Sequence, residues 1–396
     1  MRARKGDWRD LLASHSLAVD AKKLWMGFIA TLATVSLLAI MAMVYGRTFP
    51  ESQIATLARF QGSDNIFFAL MQGKGIQVLK IVLPLLNPFY DGLGHFAFSM
   101  FFYFLLLGIW TFCGGVISRL TALQYAKDDI PTLQDGLAVV RAKRKAYYFA
   151  PVTPLFGIIL FAVCNMVIGL IGSIPVVGPW AMTVLVPFVS LPATIVVTFM
   201  VVLGVLTFGL MLPAVSIGGK DAFEGWSSAY SYLLWGFNRF VCYSLAALAV
   251  GVLTTVAAFW LAELFIYLLA KTVSMGLQVA GRDLVMYNLG GAGGTEGSIG
   301  PAIYPITEGV GYWAASWVTI LVALVMRALV VAYAFSYFFT ANTLVCFLMR
   351  KHVDRIDVDE VYEEELEEPA EAELDTGEPG EPQPEEPEEG DEASQQ

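Results

Sequence analysis

Apolar residues along this chain run in long uninterrupted blocks rather than in alternating or helix-periodic patterns. Between Lys145 and Lys220, 74 consecutive residues contain no Asp, Glu, Lys, Arg or His. A helix needs about 20 apolar residues to cross a hydrocarbon core about 30 Å thick, so this block crosses more than once. Inside it, Gly172-Ser173-Ile174-Pro175-Val176-Val177-Gly178-Pro179 is a helix break. The pattern predicts a hairpin of two spans that returns the chain to the face it left. Across the whole chain the blocks predict spans at 24–44, 97–117, 153–172, 192–213, 241–265 and 326–348. Two apolar pieces are left over: 180–190, before a break expected at Pro187 and Pro192, and 313–326, before Arg327. Each fits either a surface segment or an extension of its neighbouring helix.

Residues 1–23 place Trp8, Leu11, Leu12, His15 and Val19 near one helical face. That suits a cytosolic basic helix lying in the interface, with Arg2, Arg4, Lys5, Lys22 and Lys23 turned to anionic headgroups. The polar stretch before the first span is too long for a cleaved secretory signal, so a retained span at 24–44 is expected.

Composition agrees with the blocks: 57% of residues are hydrophobic and 15% charged. The net charge of −11 averages two unlike regions. Residues 1–353 hold 23 Lys/Arg against 15 Asp/Glu, whereas 354–396 hold 20 acids and one base, Arg355. Seventeen Lys/Arg fall on the side of both termini and six on the other, which predicts cytosolic ends in a bacterial inner membrane. The Glu/Pro-rich tail, 353–396, has too little apolar surface to fold and is expected to be disordered. Its carboxylates suit a basic cytosolic protein partner or a purely solubilising role, and no nucleic-acid partner is expected.

A short repeat, offset by 89 residues, links Thr132-Leu133-Gln134-Asp135-Gly136 with Asp221-Ala222-Phe223-Glu224-Gly225. Both have the form of a capping box at a helix start, giving the unit span, cytosolic amphipathic helix, span. Repeated halves suit a transporter and a packing scaffold alike.

Candidate chemistry is sparse. Glu263 and Arg327 sit near the outer ends of the fifth and sixth spans and would pair if those helices are neighbours. Such a pair is either a gate or ligand site or, as is commoner, an interfacial anchor. Asn165 and Asn342 suit interhelical hydrogen bonds. Cys113, Cys164, Cys242 and Cys346 are isolated in apolar runs and are expected to pack as small hydrophobes. His15, His95 and His352 are scattered, Gly290–Gly294 lacks a phosphate-loop ending, and the Asp354–Glu360 acids lack calcium-loop spacing. No catalytic residue, metal ligand or cofactor site is expected, and the chain is not expected to be an enzyme.

Three segments carry a resemblance: Leu17–Leu24, Gly115–Asp128, and Leu348–Asp354 continuing through Asp359–Tyr362. Together they resemble a group of uncharacterised polytopic membrane proteins of planctomycete-type bacteria. More distantly, the second surface-helix unit is similar to the membrane domains of some bacterial glycerophosphodiester phosphodiesterases. The hydrolase domain of those enzymes is absent here, so the resemblance implies topology and no activity. The combined expectation is an all-α polytopic bundle of about six spans. Its function is expected to be that of a non-enzymatic membrane scaffold or adaptor in contact with membrane lipids, the alternative being a transporter or channel for a small solute or lipid.

Overall fold

The computed structural model describes residues 6–49, 83, 87, 92–127, 130–278, 285–288, 302–305 and 310–362. Arg2, Arg4 and Lys5, most of the 45–96 connection, the Gly290–Gly294 loop and the tail beyond Tyr362 lie outside the described residues. The described residues form an all-α bundle with six helices long and apolar enough to cross a membrane, as a multi-pass membrane protein requires.

In chain order, a 3-10 turn (Trp8–Ala13) leads into α1 (Ser14–Ala18) and α2 (Ala21–Thr48). Then come α3 (Gly92–Lys127), α4 (Leu133–Ala142), α5 (Arg144–Phe149), α6 (Thr153–Gly172) and α7 (Val177–Leu185). A π-helical turn (Val186–Ser190) joins α7 to α8 (Leu191–Gly218), followed by α9 (Ala222–Trp235) and α10 (Phe237–Gln278). Strands β1 (Val285–Asn288) and β2 (Ala302–Pro305) precede α11 (Val310–Val353). They form an antiparallel ribbon pairing Val285 with Pro305 and Asn288 with Ala302, a small β feature the hydropathy blocks did not announce.

Both leftover apolar pieces are extensions of spanning helices. Residues 313–326 are continuous with α11, and 180–190 run into α8 without a break. Pro187 and Pro192 remove backbone donors, and the ladder accommodates them by widening to a π turn. The helix break expected at 172–179 is present. At its tip, Val177 N–H donates to Pro175 O (2.8 Å) across Val176, whose φ is +68°. This is a γ-turn, a strained conformation for a β-branched residue.

The hub of the bundle is α11, and four neighbours each meet it through a glycine. A Cβ on Gly27 of α2 would overlap the Ala332 carbonyl; one on Gly251 of α10 would overlap the Tyr337 ring. Gly114 of α3 receives Phe339, and Gly209 of α8 receives Asn342. Without a side chain in each notch, backbones approach closely enough for dispersion to hold helices together in lipid. The densest core lies toward the end where Gly6 and Tyr362 sit, with Val116–Leu120, Leu210–Ile217 and Leu344–Met349 interlocked there almost fully buried.

The N-terminal segment departs from a helix resting on lipid. Leu11, Ser14 and Ala18 are buried in the bundle, with Ser14 Oγ donating to Tyr337 Oη (3.1 Å) and Ser336 Oγ to Ala18 O (2.9 Å). Of the five residues expected on the lipid-facing side Leu11 alone is buried, while Trp8, Leu12, His15 and Val19 remain exposed. Lys22 and Lys23, expected at headgroups, instead donate to Pro131 O (2.6 Å) and Leu17 O (3.0 Å). Desolvating a lysine is costly, and carbonyls at a chain reversal supply the missing acceptor.

The repeat is half confirmed. At α4, Thr132 Oγ1 accepts from Asp135 N and Asp135 Oδ2 accepts from Thr132 N (2.6 Å), a full capping box. At α9 the Asp221 side chain makes no cap; only its carbonyl is used, by Gly225 N–H (2.8 Å). What the two units share is the glycine. Gly136 lies against Leu120 and Val116 of α3, and Gly225 against Val215 of α8, so each surface helix folds flat onto the preceding span.

Candidate functional site

Glu263 and Arg327 are brought together. The facing residues Ala262, Ile266 and Ala270 of α10 and Ile320 and Ala323 of α11 are small or β-branched and fully packed. At this spacing Arg327 Nε donates to Glu263 Oε1 (2.7 Å) and Nη2 to Oε2 (3.1 Å). The geometry is a two-point fork, the strongest form of carboxylate–guanidinium pairing. Glu263 is 3% exposed and Arg327 14%. Counting about 1.5 Å per residue from residue 241 puts Glu263 roughly 33 Å along the span, at the far edge of the hydrocarbon. Beside the pair, Leu261, Phe265, Met326, Leu329 and Tyr333 line an apolar groove of about 520 Å³. A fixed fork in apolar surroundings clamps α10 to α11.

Asn165 joins two helices: its Nδ2 donates to Thr194 Oγ1 (3.1 Å) and its Oδ1 accepts from Ser190 Oγ (2.9 Å). It thereby ties α6 to the π turn and the start of α8. Asn342 departs from the expected interhelical bond. Its Nδ2 donates to Phe338 O of its own helix (2.7 Å), and its amide fills the Gly209 notch by packing. An amide four residues from a carbonyl on the same helix reaches that acceptor without crossing. The cysteines divide: Cys113 and Cys346 are buried, Cys164 and Cys242 exposed on helix faces, and all four are free. His15 sits against Leu12 O, His95 against Asn87 O and Ser99, and His352 against Arg239, far apart in the sequence of contacts. Among the described residues no group of three metal-ligating side chains gathers.

A larger polar assembly, which residue spacing did not reveal, closes the end where Gly6 and Tyr362 sit. Asp10 accepts from Gly6 N and Tyr125 Oη (2.8 Å each), and Asp20 caps α2 while accepting from Gln124 (3.0 Å). Arg119, 3% exposed, donates to Ser216 O (2.9 Å), whose hydroxyl lies 2.9 Å from Tyr147 Oη. Residues 354–362, read from composition as the start of the disordered tail, are instead a strap packed on the bundle. Tyr232 Oη donates to Asp354 (2.7 Å), Arg350 to Glu360 O (2.6 Å), and Tyr362 N–H to Ile217 O (2.9 Å). Val358 and Val361 pack on the core, and the Tyr362 ring covers Gly219 and lies 4.0 Å from Lys143 Nζ. These few apolar side chains suffice to order a segment that charge counting assigns to solvent. Burial raises the Tyr232 phenol well above its usual range, and the Asp354 carboxylate adds to that.

No family model, no curated protein and no solved structure matches this chain.

Proposed function

We propose that this protein is a non-enzymatic membrane scaffold or adaptor, lying in a bacterial inner membrane with both ends in the cytosol. The supporting observation is the clamped end of the bundle. There residues 6–20, α4, α5, α9 and the 354–362 strap pack around the densest part of the core. The acid-rich tail follows Tyr362 directly in the chain and is therefore tethered at a fixed point. A fixed platform carrying a long polyanionic segment is suited to recruiting a basic cytosolic protein. The groups a transport pathway would recruit are engaged in holding helices together: Asn165 with Ser190 and Thr194, and Glu263 with Arg327.

The test is proximity crosslinking from the tail in membranes, with the full chain and with residues 363–396 deleted. Loss of basic interactors on deletion, at unchanged protein abundance, supports the reading. An unchanged set of interactors overturns it.

A further inference from the structure

The short helix α5 packs against α3. Its Tyr147 packs on Gly115, where a Cβ would come within 2.8 Å of the ring, and one residue later Tyr148 Oη donates to Phe104 O (3.2 Å). Phe104 lies nearer the start of α3 than Gly115 does, so the Tyr148 hydroxyl reaches deeper along the span than the Tyr147 ring. Arg144 and Lys145 directly follow Lys143, whose ammonium donates to Gly219 O at the polar end. Between the two helices is a groove of about 340 Å³, lined by Gly108, Thr111 and Phe112 of α3 and by Arg144, Lys145 and Tyr148 of α5. That volume lies in the ~300–1,000 Å³ range of small-molecule sites.

Three features give the groove an amphiphile's polarity. Its depth is apolar, because the Thr111 hydroxyl is turned to Gly108 O (3.3 Å) and Tyr148 is bonded to the backbone. Gly108 keeps it open: a Cβ there would meet only the Tyr148 ring edge, at 3.7 Å. Its mouth carries two exposed cations, and among the described residues neither is paired with a carboxylate. Four other cations at this end are engaged: Lys22, Lys23 and Lys143 on carbonyls, Lys220 on Ser228.

We propose that this groove binds one anionic phospholipid. Its phosphate lies between Arg144 and Lys145, and one acyl chain runs down against Gly108, Thr111 and Phe112. Basic pockets between spanning helices at the membrane surface hold anionic headgroups by this combination of charge and apolar contact. The site does not depend on the adaptor role.

The test uses the full chain in a neutral maltoside detergent, titrated with phosphatidylglycerol or phosphatidylcholine of matched chains and read by native mass spectrometry. The wild type is expected to retain one phosphatidylglycerol in preference to phosphatidylcholine. Arg144→Gln/Lys145→Gln, two exposed positions, should weaken that adduct about thirtyfold, at about fivefold per basic side chain. Gly108→Leu keeps both charges and fills the slot, so it should weaken the long-chain lipid while leaving a dihexanoyl analogue unaffected. Phe112→Ala, which strips one wall, serves the same purpose if Gly108→Leu does not fold. Equal retention of the two headgroups by the wild type overturns the proposal, as does an unchanged preference in the double variant. If the groove variants leave long-chain retention intact, the charges act without a built site, and the proposal fails.

Discussion

Separating Glu263 from Arg327 should cost more than removing both. With charge centres about 4 Å apart and an effective dielectric near 20, their attraction is about 4 kcal/mol. Desolvation offsets much of that in the intact protein, but a lone survivor keeps the penalty without the partner. Breaking a buried pair from one side typically costs about 3–5 kcal/mol. Arg327→Met takes the guanidinium fork from the carboxylate of Glu263, which is 3% exposed and short, so the cost should lie in that range. Glu263→Leu strands a longer side chain that is 14% exposed and reaches the membrane edge by snorkelling, so about 1–2 kcal/mol is expected. The double variant Glu263→Leu/Arg327→Met should return to within about 1 kcal/mol of wild type, since apolar residues of similar volume pack there. Reversible unfolding in mixed micelles, followed by far-ultraviolet circular dichroism, gives the cycle directly. Strictly additive single effects, or singles indistinguishable from wild type, would refute the clamp and leave two independently solvated charges.

Gly27→Ala forces a Cβ into the Ala332 carbonyl and should destabilise by about 1–3 kcal/mol, whereas Gly46→Ala, with nothing within 4 Å, should be neutral or slightly stabilising in the same unfolding assay. Deleting 363–396 should leave the unfolding temperature unchanged. Deleting 354–396 removes the Tyr232, Arg350 and Tyr362 bonds and should cost on the order of 1–3 kcal/mol net of chain entropy. Because folding raises the Tyr232 phenol above its ordinary value of 10.0, its contribution is complete below about pH 10 and declines as pH rises beyond it. Stability measured from pH 8 to 11 should fall at the alkaline end, and less steeply in Tyr232→Phe, which at neutral pH loses about 1.5–3 kcal/mol with the Asp354 bond.

The spans were legible because crossing hydrocarbon imposes a length and polarity that few other segments meet. The turn at 172–179, the Thr132 box and the proximity of Glu263 to Arg327 were legible for similar reasons: local backbone chemistry in the first two, the expense of charge at membrane depth in the third. What escaped depends on partners distant in sequence. Lys22 and Lys23 look like headgroup ligands until Pro131 O and Leu17 O are placed beside them. The acids of 354–360 read as solvated charge, because no local pattern shows that Val358, Val361 and Tyr362 meet the core. The α3–α5 groove exists only through the close approach at Gly115 and Gly108, so hydropathy, blind to helix neighbours, registers Arg144 and Lys145 merely as positive charge.

The hub of the bundle, α11, is the last of the described helices, and that dictates an order of assembly. A chain made from its N-terminus delivers α2, α3, α8 and α10 to the membrane before α11 exists to fill their notches. Until then Gly27, Gly114, Gly209 and Gly251 face lipid or one another, and the early helices form at best a loose company. Consolidation must therefore wait until α11 has been made, so a ribosome that stops before it leaves a product for the cell's proteases rather than a smaller working protein.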